Sequence, residues 1–214
     1  MSNTTEIRKY KEGLRLTDLQ RDLILGLMLG DGHLETQNKG HTYRLLVEQS
    51  YPFHESYAMH LYDVLKPLVL TPPKKVKNDK AIFFRTLSHQ SFRFYANLFY
   101  KDGKKSVPKF IHKYLNDRVL AYWYMDDGAL KGKNPSGISR TGKRLHTEGF
   151  TKLDVERLCF ALNFLGIETT INKQTKVVKD LVKTYYLLNI TAKGEKVLTE
   201  RIKPYVIESM QYKL

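Results

Sequence analysis

At 214 residues, 42% of them apolar, the chain is long enough to bury a core and form one domain or two small ones. Thirty-six Lys and Arg against 22 Asp and Glu leave +14, which selects a polyanionic partner; nucleic acid leads an acidic membrane surface, because no segment is a basic amphipathic helix of the interfacial type. A single cysteine excludes an internal disulfide framework and a multi-cysteine zinc site, and no run of about 18 apolar residues is present to span a membrane.

In chain order, residues 1–16 are expected as an N-terminal tail, polar and without a hydrophobic signal segment or a clear transit-peptide pattern. Thr17 is followed three residues later by Gln20, the spacing of a capping box. The apolar run that follows ends at 23–32 as Leu-Ile-Leu-Gly-Leu-Met-Leu-Gly-Asp-Gly, and a helix apolar on nearly every side is a buried one. Gly26 and Gly30, four apart, share a face on which a second backbone can come close. Residues 33–40 read as a polar turn and 43–49 as a strand with Glu48 near its end. A helix at 54–66 stops at Pro67, a strand pair turns at Asn78-Asp79 under Lys74, Lys75, Lys77, Lys80 and Arg85, and a helix capped by Ser88 runs to about residue 100. Residues 17–100 thus form one αββαββα half.

Gly103, Pro108 and five lysines give 101–116 the composition of a surface linker. Residues 117–214 then repeat the order. The apolar run at 120–128, Leu-Ala-Tyr-Trp-Tyr-Met-Asp-Asp-Gly, again stops at Asp-Gly, and Lys131, Lys133, Arg140, Lys143, Arg144 and His146 crowd the hairpin after it. A helix at 151–165 has Thr151 and Asp154 near its start and Gly166 after its end, with Cys159 as a core filler. Strands at 168–173 and 184–190, with Lys173, Lys176 and Lys179, precede a helix capped by Thr191. The fold class is α+β, two pseudo-symmetric halves.

Asp31 and Asp127 each fall where a helix meets a glycine, the usual residue just past a helix end. That is the wrong end for a carboxylate, since a helix C-terminus carries roughly half a negative charge. Two such ends brought together gather carboxylates and orphan carbonyls, an all-oxygen cluster that a hard divalent cation would neutralise. A lone Asp-Gly is more often a turn, but its duplication at the ends of two long apolar helices reverses that preference. Seven histidines lack ligand spacing, so no histidine catalysis is expected. Glu48 is a weaker candidate for ordering a water molecule.

The two runs resemble the paired signature helices of the LAGLIDADG homing endonucleases, in the single-chain, two-motif branch. Asp31 and Asp127 occupy the family's acid position; the first copy keeps Gly26 and Gly30 at its small positions, whereas the second has Tyr122 and Asp126. The resemblance implies paired central helices, two DNA-binding antiparallel sheets forming a saddle, and metal ligation by Asp31 and Asp127 with the carbonyls of Gly30 and Asp126. It also implies a basic residue per half, matched by Lys105 in Lys-Lys-Ser-Val-Pro and Lys213 in Tyr-Lys-Leu. The expected cofactor is Mg2+, with Mn2+ substituting and Ca2+ supporting binding without cleavage.

The expected partner is a long double-stranded DNA target, cut on both strands with short 3′ overhangs by a monomer that works in a mitochondrion or other organelle if its gene lies in an intron there. Arg44, Arg85, Arg140 and Arg144 are the expected base readers, since a guanidinium bonds guanine bidentately; Lys74, Lys75, Lys77, Lys80, Lys131, Lys133, Lys143, Lys173, Lys176 and Lys179 are the phosphate contacts. The competing readings are an RNA-binding maturase that assists splicing of intron RNA, and a non-cleaving DNA-binding protein.

Overall fold

The computed structural model describes residues 4–76, 78–132, 142–179 and 181–214. The chain forms two compact units, Met1–Ile24 with Asp31–Asn97, and Leu25–Gly30 with Leu98–Leu214.

In the first unit, helix α1 (Thr5–Gly13) occupies the stretch expected as a tail. Its residues are exposed or half-buried, so local apolar content gives it away poorly. It is held instead by distant partners: Tyr10 donates to the Pro67 carbonyl at 2.7 Å, and His89 Nε2 lies 3.0 Å from the Lys11 carbonyl. Helix α2 (Asp18–Leu29) starts as its sequence requires, with Gln20 N donating to Thr17 Oγ1 at 3.2 Å and Thr17 N to Gln20 Oε1 at 3.1 Å. Strands β1 (His33–Glu35) and β2 (Arg44–Ser50) follow, then α3 (Glu55–Leu65), β3 (Lys74–Lys75), β4 (Ala81–Arg85) and α4 (Arg93–Phe99). The sheet is antiparallel in the order β1-β2-β4-β3. Period-two alternation buries Leu34, Leu45, Val47, Ile82 and Phe84 on one face and leaves Glu35, Arg44 and Arg85 on the other. Before α4 the capping group is His89, whose Nδ1 accepts from Ser91 N at 3.2 Å, in place of the expected Ser88.

In the second unit, β5 (Tyr100–Lys101) and β6 (Lys104–Lys105) form a small hairpin. The stretch expected as a surface linker is therefore folded, with Val107, Ile111 and Leu115 buried. Helix α5 (Asp117–Asp127) runs directly into β7 (Gly128–Leu130), followed by β8 (Lys143–Leu145), α6 (Lys152–Phe164), β9 (Thr169–Val178), β10 (Leu181–Ile190) and α7 (Ala192–Ile202). The sheet order, β7-β8-β10-β9, reproduces that of the first unit. Both units therefore realise the expected αββαββα order. The Thr151–Asp154 capping box opens α6, and Gly166, at φ +80°, ends it in the left-handed region that glycine enters without strain.

Gly128 corrects one expectation. At φ −74° and ψ 142° it is extended, not a left-handed cap; glycine is needed because a Cβ there would collide with the Tyr124 carbonyl and ring. Gly26 answers a different demand. A Cβ on it would lie 2.5 Å from Tyr122 Cβ and 2.9 Å from the Val119 carbonyl, so α2 and α5 touch backbone to backbone. Along α5, Val119 through Met125 are all buried, each large apolar side chain contributing about 1.5–3 kcal/mol.

Gly26→Ala separates helix propensity from packing. Propensity alone favours alanine by about 1 kcal/mol, whereas a methyl forced into this contact costs about 1–3 kcal/mol. The variant should unfold at lower urea concentration than the parent; a variant at least as stable would mean that the two helices do not meet at Gly26.

Candidate active site

Each signature helix ends in backbone carbonyls with no partner inside the helix. Two lysines supply those partners. Lys105 Nζ donates to the Gly30 carbonyl at 2.6 Å, next to Asp31 in the chain. Lys213 Nζ donates to the Met125 carbonyl at 2.5 Å and to the Asp126 carbonyl at 3.1 Å, next to Asp127. An ammonium at a helix C-terminus is favoured by the dipole, and a charge-assisted bond strengthens the contact.

Separate devices hold the two lysines in place. Close to Lys105, the backbone at Val107 is clamped to α6: its N–H donates to Asp154 Oδ1 at 3.1 Å and its carbonyl accepts from Arg157 Nη1 at 2.8 Å, while Arg157 also pairs with Asp154. Lys213, 9% exposed, ends the final 3-10 turn, and its carbonyl accepts from Tyr124 Oη at 2.7 Å and from Lys143 Nζ at 3.4 Å. Burial pushes the Tyr124 phenol well above its ordinary pKa, with Glu195 adding to the shift, so it stays a neutral donor at physiological pH.

Around the acids, Trp123 Nε1 donates to Asp127 Oδ2 at 3.2 Å, an i,i+4 contact that the helical spacing makes available. The Asp126 side chain lies against Gly30, where a Cβ would collide with it. Asp31 lines an open cleft of about 490 Å³ with Glu48, His54 and Lys80, so the structure brings Glu48 and Asp31 into one depression. Trp123, Tyr124, Asp154 and Arg157 were not among the expected site residues.

The basic residues divide. Arg44 and Arg85 both reach Glu35 Oε2, at 2.7 Å and 3.2 Å, on the sheet face opposite the core. Burial opposes ionisation of Glu35, but the hydrogen bonds from Arg44 and then Arg85 outweigh it and hold its carboxyl below the ordinary range. The stabilisation from this depressed carboxylate is present above its unfolded pKa and is lost as pH falls through the folded one. Lys74 pairs across from Phe83 on the Arg85 face, whereas Lys75 lies over the Tyr51 ring at 3.8 Å on the opposite side.

In the second unit, Arg144 and its cross-strand neighbour Asn189 point away from Lys143 and Leu145. Arg144 Nε and Asn189 Oδ1 are buried without a hydrogen-bond partner among the described residues. Lys176 shares that face with Tyr185, at 5.6 Å from its ring, but Lys173 pairs with Tyr186 on the other. Lys131 Nζ donates to the Ile190 carbonyl at 3.2 Å, and Lys179 sits in the β9–β10 turn at φ +50°. Lys77, Lys133 and Arg140 lie outside the described residues.

Lys143 is a correction. It is fully buried, its Nζ bonded to the Lys213 and Leu214 carbonyls and 3.3 Å from Glu195 Oε1, so it is a structural cation and not a phosphate contact. Alternation on β8 puts it on the inward face with Leu145.

A helix pair closed over glycine, each member ending in an acid beside a lysine-bonded carbonyl, has a counterpart among known families. The LAGLIDADG DNA endonuclease family model matches residues 21–205. The chain belongs to the LAGLIDADG DNA endonuclease family. It is 34% identical to the DNA endonuclease I-ChuI of Chlamydomonas applanata, over 94% of this chain and 96% of that one. It is 30% identical to a probable intron-encoded endonuclease 1 of Wickerhamomyces canadensis, over 99% and 91%. A cytochrome b mRNA maturase bI2 of Saccharomyces cerevisiae is 32% identical over 90% of this chain but only 46% of its own length. Among solved structures, the homing endonuclease I-WcaI bound to its DNA recognition sequence superposes with a TM-score of 0.81 at 27% identity, covering 100% of this chain and 94% of that one.

Replacing Lys143 by Met tests its structural role in this LAGLIDADG protein. Loss of one member of a buried ionic cluster should cost about 3 kcal/mol in urea unfolding. The salt dependence of nucleic-acid binding should stay unchanged; a shallower salt slope at full stability would return Lys143 to the phosphate contacts.

Proposed function

We propose that the protein is a site-specific, divalent-metal-dependent homing endonuclease that hydrolyses both strands of a long, asymmetric DNA target and leaves short 3′ overhangs. The observation that carries this reading is the duplicated helix end: Asp31 follows a carbonyl bonded by Lys105, and Asp127 follows one bonded by Lys213. Family membership and the two relatives named as endonucleases over nearly their whole length support it. The maturase reading is weaker, because that relative matches over less than half its length. We assign the protein to the monomeric, intron-encoded class, acting in the organelle that carries its intron.

The donor set suits a hard cation. Carboxylates and backbone carbonyls offer only oxygen, and among the described residues no three His, Cys, Asp or Glu side chains group into a cage of their own. That matches magnesium, which takes one or two carboxylates and completes its shell with water and substrate phosphate. Asp31 and Asp127 would hold it, with the Gly30 and Asp126 carbonyls beside them; Mn2+ would substitute. When bound, the cation activates water and stabilises charge on the phosphate and the leaving oxygen.

The chain's own groups supply the rest. Trp123 Nε1 donates to Oδ2 of Asp127 and so helps to orient this carboxylate. Lys105 and Lys213 hold positive charge beside the acids, where it would offset the negative charge that a pentavalent phosphate gains. Arg44 and Arg85, fixed by a shared carboxylate, present donors for base edges or phosphates.

Asp31→Asn and Asp127→Asn each remove a metal-neutralising charge while sparing the helix contact. Both should bind target duplex with near-parental affinity and fail to make double-strand breaks in magnesium. In calcium the parent should bind without cutting, because calcium's flexible coordination and weaker Lewis acidity suit the chemistry poorly. Full cleavage by either variant would refute the assignment of the acids.

Lys105→Met and Lys213→Met distinguish rate from affinity. A lysine acting on transition-state charge is expressed in single-turnover rate, on the order of a hundredfold, and little in the dissociation constant. Each variant should also favour one strand, accumulating nicked plasmid. Rate and affinity falling together, with no strand bias, would make both residues ordinary phosphate contacts.

A further inference from the structure

Strand alternation puts Ile82 and Phe84 of β4 in the core and should leave the outer face polar, yet that face carries Phe83 between Ala81 and Arg85. Phe83 is half-buried, and with Leu70 and Pro72, from the segment leading into β3, it lines a cavity of about 300 Å³. Leu70 is 43% exposed there. Arg44, Arg85 and Lys74 line the same cavity, and among the described residues no acid does. The Arg85 guanidinium is held from two sides, 5.1 Å from the Phe83 ring centre and, through Nε, 3.2 Å from Glu35 Oε2. A phosphate contact needs such cations but gains nothing from the apolar lining. The combination calls for a partner that presents a small apolar group and a hydrogen-bond acceptor side by side.

We propose that this cavity is a thymine-reading site, in which Phe83, Leu70 and Pro72 receive the 5-methyl group of one thymine and Arg85 donates to its O4. The inference rests on the endonuclease reading, which lays this sheet face on duplex DNA. Among the four bases thymine alone shows a methyl group in the major groove, and its O4 acceptor stands beside it. Cytosine sets an amino donor at that place, where it would face the guanidinium donor to donor. A 5-methylcytosine supplies the methyl group but keeps the amino donor, so it fits only half of the site. Because Arg85 is already held by a ring and a carboxylate, little of its side-chain freedom remains to be lost on binding.

The test measures binding in calcium, so that it does not depend on cleavage. The full chain is titrated with a duplex recovered by binding selection from a randomised library, and with copies of it in which each thymine in turn is replaced by deoxyuridine, a change that removes the methyl group alone. At one position uracil should weaken binding about fivefold, the worth of one buried methyl group, and 5-methylcytosine paired with guanine should not restore it. In Phe83→Ser the ratio of uracil to thymine dissociation constants at that position should fall to about one, and in Leu70→Ser it should fall toward it. Since each ratio is taken on one protein sample, any loss of folded protein cancels. Equal affinity for every uracil duplex, a parental ratio in both variants, or 5-methylcytosine binding as tightly as thymine would overturn the proposal. Methyl discrimination without strand cleavage in magnesium would refute the endonuclease reading and leave the thymine site standing, whereas cleavage without discrimination would refute the site alone.

Discussion

The backbone contact between α2 and α5 at Gly26 is the constraint on which the site depends. It requires the smallest residue on one helix and accepts a large one on the other: Gly26 takes up Tyr122, and Gly30 takes up Asp126. Small positions on both helices are therefore unnecessary, which is why the second motif can depart from the first. Where such helices end, carbonyls lose their partners and acids sit in an unfavourable potential. Lys105 and Lys213 relieve both problems. Their ammonium groups bond the carbonyls at the ends of α2 and α5, so the sequence-level picture of uncompensated oxygens is incomplete without them.

Lys105 is located through neutral and ionic bonds from α6 to the Val107 backbone, a capping-box acid serving a second purpose. Lys213 is located from inside, by a buried tyrosine and a buried lysine that share its carbonyl. The two arrangements differ because one lysine lies in the second strand of the β5–β6 hairpin and the other ends a turn packed in the interior.

How much of this was legible depended on the range of the interaction. The signature helices, the Thr17–Gln20 capping box, Gly166 and the duplicated element order follow from spacing over a few residues, and each reappears in the structure. Helix α1 was hidden because its anchors are contacts 57 and 78 residues away in sequence. Residues 101–116 were hidden by lysines and a proline that mask the buried Val107, Ile111 and Leu115. For Lys143 a signal existed. With Leu145 inward, a period of two turns Lys143 inward as well, but a run of basic neighbours made surface the simpler reading.

Basic side chains of equal charge are unequal in what they can specify. Arg44 and Arg85 share one oxygen of Glu35, which leaves net positive charge yet restricts both guanidiniums before any partner arrives. Side-chain entropy is then lost on folding and not on binding, a condition that favours discrimination over bulk affinity. Lysines such as Lys74 and Lys176 sit on exposed strand positions with long free stems and suit a backbone contact better than a base. Arg144 and Asn189 are a third case: Nε and Oδ1 are already removed from water without a bond in return, so a ligand supplying an acceptor and a donor there would not first have to desolvate them. Within a shared endonuclease fold, such local commitments of individual arginines and amides, more than the total of +14, are where members reading different sequences must differ.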